Sequence, residues 1–193
     1  MKEKKTISVP ESQHDITVGQ YQLYESLSGD DNELNSVYAF RVFLGIDPEE
    51  YKRISVATVS ELNEKIVKVL QEQHGLIEEF EIDGVQFGFV PNLEDITHGE
   101  YVDAENYMTD IQQLHRLLAV LYRPIVKKDK RFRQIESYKG SDRYADQMKR
   151  APMSVATGVT GFFLSLRNAL GLGFPKSFPK MEKSQTQQTP ITS

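Results

Sequence analysis

The chain has 193 residues, 39% of them hydrophobic and 26% charged, enough apolar content for one ordinary core or a core with a small appendage. It has no cysteine, which excludes disulfides, thiolate metal sites and cysteine nucleophiles. Residues 1–110 hold 8 Lys/Arg against 23 Asp/Glu, a net −15, and residues 111–193 hold 15 against 5, a net +10, so the overall −5 conceals a strongly polar molecule; such a split points to charged partners or ordered self-association rather than to a reaction.

The start of the chain, Met1 to Ile7, is basic but is followed by no apolar run of the kind a secretory signal needs, so the protein is not expected to be exported. Thr6 to Val9 predicts a short strand ended by Pro10. Thr17 is a candidate N-cap for a helix with Val18, Tyr21, Tyr24 and Leu27 on one face. After a turn at Ser28 to Asn32, helical spacing of Leu34, Val37, Tyr38, Arg41 and Leu44 predicts a second helix stopped by Gly45. Asp47-Pro48-Glu49-Glu50 supplies a cap, a proline at the first helical position and an acidic first turn for a short third one.

Thr58-Val59-Ser60-Glu61 has capping-box spacing ahead of a stripe of Val59, Leu62, Ile66, Val69 and Leu70, with Glu61/Lys65 and Glu64/Lys68 paired on the outer face. Beyond Gly75 the period changes: Leu76 to Ile82 and Val85 to Val90 flank Asp83-Gly84, a hairpin signal, and Pro91 ends the second strand. Asn92 to Tyr107 is acidic, with a helical turn predicted at Leu93 to Thr97 and the rest left without a regular path. From Asp110 a central core helix carries Ile111, Leu114, Leu117, Leu118 and Leu121 together, and Pro124 stops it near Tyr122.

Lys127 to Tyr138 reads as basic and irregular, with one strand at Phe132 to Tyr138, before a helix over about Asp142 to Arg150. The last ordered element is Pro152 to Leu170. Its apolar face carries Val155, Val159, Phe162, Phe163, Leu166 and Leu170, and its strip of Thr157, Gly161, Ser165 and Asn168 admits the close approach of another backbone. Its most apolar part, Met153 to Leu166, is shorter than the ~20 residues a membrane-spanning helix needs. Residues 174–193 are rich in Pro, Gln, Thr and Ser, a composition that predicts a disordered tail.

No reaction chemistry stands out. His14, His74, His98 and His115 are scattered and form no ligand pair at helical spacing, and His98-Gly99-Glu100 with Asp95 would hold a divalent ion only if its loop folded back on itself. Asp110 and His115 lie five apart and do not share a helix face. There is no nucleophile elbow or phosphate-binding glycine loop, and Gly171-Leu172-Gly173 follows a helix rather than a strand. No enzyme, cofactor, metal or small-molecule substrate is expected.

The basic block is more informative: Arg116, Arg123, Lys127, Lys128, Lys130, Arg131, Arg133, Lys139, Arg143, Lys149 and Arg150 are interleaved with Tyr122, Phe132, Tyr138 and Tyr144. Counterion release and base stacking make nucleic acid one candidate partner. The favoured reading is that these side chains pack on acidic segments of the same molecule or of a neighbouring copy.

The segments Leu114-His115-Arg116-Leu117-Leu118-Ala119-Val120-Leu121-Tyr122-Arg123-Pro124-Ile125 and Ile135-Glu136-Ser137-Tyr138-Lys139-Gly140 resemble small, poorly characterised proteins of tailed bacteriophages. Tyr144 to Ala156, Gly161-Phe162-Phe163 and the early Ile16-Thr17-Val18-Gly19-Gln20-Tyr21 share the resemblance. It implies virion morphogenesis in the cytoplasm of an infected bacterium, as a tail or baseplate assembly chaperone or a minor structural protein of the tail or neck, and it carries no site residue with an assigned role.

The expected fold is thus a predominantly α-helical α+β domain over residues 1–173, with one small β-hairpin or sheet packed on a helical core. The expected partners are phage structural proteins or further copies of the chain, with nucleic acid as the alternative and no membrane. The residues expected to bind are Arg123, Lys127, Lys128, Lys130, Arg131 and Arg133, which follow a proline-ended helix and should be presented on a surface.

Overall fold

A computed structural model describes residues 7–90, 96–129 and 133–169, with side chains as far as Phe162 in the last helix. The first helix, α1 (Val18–Leu27), begins with a capping box. The Thr17 hydroxyl accepts from the Gln20 N–H, and the Gln20 side chain accepts from the Thr17 N–H, so donors that helix geometry leaves free are satisfied. Asp31 caps α2 (Asn32–Phe43). Gly45, at φ +65°, takes the left-handed turn that follows it, and Asp47 and Pro48 open α3 (Pro48–Tyr51) as their order predicts.

Helix α4 (Val56–Leu70) starts earlier than the Thr58 box suggested. Ser55 is the cap, accepting from the Thr58 N–H, and Val56 is left 87% exposed in the first turn. Ile66 and Val69 are buried, and Glu61 pairs with Lys65 at 2.7 Å. The end of α4 is fastened by buried Gln13, whose side-chain amide donates to the carbonyls of Leu70 and Glu72 while its oxygen accepts from the Thr157 hydroxyl.

The hairpin at Asp83-Gly84 forms with both turn residues at positive φ, 52° and 76°, the requirement of a two-residue type I′ turn. It joins β1 (Glu79–Ile82) to β2 (Val85–Phe89). The sheet is larger than a hairpin: β3 (Tyr122–Lys128) and β4 (Arg133–Ile135) extend it to four antiparallel strands in the order β1-β2-β3-β4. Strand β3 fills the connection after the core helix, where no strand was expected, and runs into the first two residues of the Lys127 to Tyr138 stretch read as irregular, because Pro124 ends the preceding helix without barring a strand. Its carbonyl accepts from the Glu136 N–H, so its missing N–H falls where the β3–β4 ladder runs out just past Ile135.

A further helix, α5 (His98–Met108), occupies the acidic stretch for which no regular path was predicted. The predicted turn at Leu93 to Thr97 lies mostly outside the described residues, and Ile96 and Thr97 are not helical. The predicted first strand is absent from residues 7–9. Helix α6 (Leu114–Leu121) is preceded by a 3-10 turn and buries Leu114, Leu117, Leu118, Ala119, Val120 and Leu121.

Helices α7 (Asp142–Met148) and α8 (Met153–Ala169) complete the fold. The segment before α1 is tied to their junction, with the Val18 N–H donating to the Ala151 carbonyl at 2.9 Å and Met153 N–H to Ile16 at 2.7 Å. Close backbone approach on α8 occurs at Gly158, beside the predicted strip, where an added Cβ would stand 2.4 Å from the Gly75 carbonyl oxygen.

The protein is therefore a predominantly helical α+β fold with an antiparallel sheet. The predicted tail, residues 174–193, lies outside the described residues. Among the described residues no helix is long and apolar enough to cross a membrane.

Candidate functional site

Alternation along the strands gives the sheet two chemically different faces. Register places Phe80 beside Phe87, Phe87 beside Pro124, and Phe89 beside Tyr122 on one face. There Tyr122 packs edge-on against Phe80 and Phe89 at 4.9 and 5.3 Å, Tyr144 of α7 meets Phe87 at 5.7 Å and Phe162 of α8 meets Phe89 at 5.6 Å. The Tyr122 hydroxyl donates to the Ile77 carbonyl, and burial pushes its pKa up.

The other face is charged. Glu79 of β1, Gly88 of β2 and Arg123 of β3 are lateral neighbours. Because Gly88 has no side chain, Arg133 lies across β2 from β4. Its guanidinium donates to the Glu79 carboxylate at 3.1 Å and to the Phe89 carbonyl at 3.1 Å. The fit is close: a Cβ on Gly88 would meet Arg133, Ile125 and Ile135 side-chain atoms at 3.1 Å each. Lys128 also donates to Glu79, and the hydrogen bonds from Lys128 and then Arg133 hold the Glu79 carboxyl below its ordinary pKa.

Glu100, at the start of α5, is buried against this face. One carboxylate oxygen accepts from the Thr97 N–H and hydroxyl, both at 2.7 Å, in a capping box, and the other is 2.6 Å from Arg123 Nη1. Both partners are buried, Glu100 4% and Arg123 8% exposed, and among the described residues Arg123 Nε has no hydrogen-bond partner. The Arg123 guanidinium also stands over the Tyr138 ring at 5.8 Å. Tyr138 donates its hydroxyl to Asp103 one turn further along α5, and burial first, then this bond, raises its pKa. Beside β4, Glu136 accepts from the Tyr144 hydroxyl and pairs with Arg143 at 2.7 Å; the tyrosine bond is the main cause of its lowered pKa.

The predicted binding residues therefore separate. Arg123 is not presented on a surface, since β3 turns it under α5. Arg133, 15% exposed in its side chain, and Lys128 are engaged with Glu79. Lys127 is exposed, while Lys130 and Arg131 lie outside the described residues. Beyond this sheet Arg150 joins Asp83 and Arg116 joins Asp142 at 2.8 Å. The acidic and basic parts of the chain meet within one molecule.

The histidines are not brought together. His115 Nδ1 accepts from the side-chain amide of buried Gln22 at 3.0 Å, and desolvation, with Lys149 and Arg116 nearby, lowers its pKa. His74 lies 3.3 Å from Glu72. Among the described residues no group of three His, Asp or Glu side chains could hold a metal ion. Of the loop set considered in the sequence, Asp95 lies outside the described residues and Glu100 is turned to Arg123.

One surface was missed by pattern reading. Leu23, Leu27 and Leu34, around the turn between α1 and α2, are 51%, 36% and 48% exposed, although helical spacing had assigned Leu27 and Leu34 to packed faces. Glu25, Asp30 and Glu33 are close to them in sequence. Periodicity marks which residues share a face but not whether another element covers it.

The arrangement defines a class, an α+β protein whose sheet face is cross-linked by ion pairs between its acidic and basic segments. Comparison of the chain with known protein families, curated proteins and solved structures finds no match.

Proposed function

We propose that the protein is a non-enzymatic bacteriophage assembly factor, a tail or baseplate assembly chaperone that works by binding other virion proteins in the host cytoplasm. The phage setting comes from the resemblance of the segments around α6, β4 and α8. The observation that carries protein binding over nucleic acid is the pairing of Arg123, Lys128 and Arg133 with Glu100 and Glu79. A DNA phosphate would have to displace a carboxylate at each of these positions, and counterion release, the main source of such affinity, would be forfeited there. The acid-flanked leucines between α1 and α2 offer the kind of exposed apolar surface that protein partners cover.

Interrupting this reading frame in the phage that encodes it is expected to leave filled heads without complete tails in electron micrographs. Complete, infectious particles would overturn the reading. The second reading, a minor tail or neck protein, is distinguished by recovery of the chain from purified virions at a fixed copy number. Titration with duplex and single-stranded DNA across a salt series tests the nucleic-acid alternative, for which tight, steeply salt-dependent binding is the signature.

A further inference from the structure

Every exposed leucine among the described residues lies on one helical hairpin: Leu23 and Leu27 one turn apart on α1, and Leu34 in the first turn of α2. The two helices run antiparallel. At the turn Asn35 and Gly29 bond in both directions, and at the far end the Gln20 side chain donates to the Val42 carbonyl at 3.2 Å. Val18, Tyr21 and Gln22 bury one side of α1, and Ala39, Phe40 and Phe43 bury the same side of α2. The leucines therefore share the outer surface of the hairpin.

Charge is distributed along that surface with a direction. No lysine or arginine stands between Lys5 and Arg41. Asp30 and Glu33 flank Leu34 at the turn end of α2, half-buried Val37 and Tyr38 follow, and Arg41 closes the strip two turns further on. Asp30, Glu33 and Arg41 are exposed, and among the described residues none of them has an ion-pair partner. Glu33 and Arg41 stand about 12 Å apart along the helix, too far to pair within one chain.

An acidic end, an apolar middle and a basic end make a strip that complements itself when reversed. A purely basic helix laid on it would set its own charge against Arg41, and an acidic one would meet Asp30 and Glu33. An antiparallel second copy satisfies both ends. A two-fold axis near Val37 brings Arg41 of each copy to Glu33 and Asp30 of the other and lays its apolar stem on Leu34. The same axis keeps the two acidic ends apart and sets α1 against α1, which covers Leu23 and Leu27.

We propose that the protein is a homodimer joined through the outer surface of α1 and α2, with Arg41 of each copy paired to Glu33 of the other. The proposal rests on the reading of the exposed leucines as a surface that a protein covers, and names that protein as a second copy of this chain. It does not depend on the phage setting.

Sedimentation of the full chain over an about hundredfold range of concentration tests it. A monomer–dimer equilibrium is expected. Leu34→Asp, Glu33→Arg and Arg41→Glu should each raise the dissociation constant about tenfold or more, since symmetry applies every change twice. Mixing the Glu33→Arg chain with the Arg41→Glu chain should restore association to within about threefold of the native value, because both ion pairs re-form with their signs exchanged.

A monomer at every concentration would overturn the proposal, whether or not the leucines accept a basic amphipathic peptide. So would a dimer indifferent to all three substitutions, or a mixture that associates no better than its components. None of these results bears on the assembly role, which is decided by the completion of tails.

Discussion

Glu100–Arg123 and Asp83–Arg150 each join a carboxylate of the acidic part of the chain to a guanidinium of the basic part, in opposite environments. The first pair is buried between α5 and β3, with side chains 5% and 10% exposed; the second lies beside the hairpin turn with 53% and 59%. Water screens the exposed pair and can solvate either partner alone, so it contributes at most about 1 kcal/mol. Inside, a partner left behind has no water to turn to, and its loss costs about 3–5 kcal/mol. The same linear charge split thus has a strong joint in one place and a weak one in another.

The largest effect is expected for Arg123→Met, which strands Glu100 and should lower stability by about 3–5 kcal/mol in urea unfolding. Gly88→Ala comes next. It forces a Cβ against Arg133, Ile125 and Ile135, and overpacking of this kind costs about 1–3 kcal/mol; if Arg133 simply swings aside, its bond to Glu79 is lost and the melting temperature still falls. Asp83→Asn keeps a residue that accepts positive φ and removes only the exposed pair, so a loss of no more than about 1 kcal/mol is expected.

A pH titration tests a third environment, that of His115. Its folded pKa lies below the unfolded value, so the unfolded chain binds the proton more readily. Its contribution is fully present above about pH 6.5 and is lost as pH falls toward the folded pKa. His115→Gln should flatten that part of the stability curve. Lys127→Glu, at an exposed position, should change stability by no more than about 0.5 kcal/mol.

Much of the helical frame was legible because caps are local chemistry. Thr17 and Asp47 each sit at the N-cap where a side-chain oxygen meets free backbone donors, whereas Asp31, read only as part of a turn, caps α2 as well. Helix α5 was missed although Thr97-His98-Gly99-Glu100 is itself a capping box. It has Gly99 in its first turn and no continuous apolar stripe, so periodicity gave no support. Strand β3 was missed because its pairing with β2 is non-local, and Pro124 suggested interruption rather than the end of a ladder. Arg123 was misplaced for the same reason. A run of basic residues looks like one surface, but strand alternation and a missing side chain at Gly88 send its members under α5, across β2 and out to solvent.

Whether the two charged parts of the chain are joined inside one molecule through a buried pair is decided by a double-mutant cycle of Glu100→Gln and Arg123→Met. Glutamine retains the capping geometry, so the cycle isolates the pair. A coupling of about 2 kcal/mol or more is expected, with the double variant recovering much of the stability lost in Arg123→Met. Additive effects, with a coupling below about 0.5 kcal/mol, would mean that the buried pair does not join the two parts.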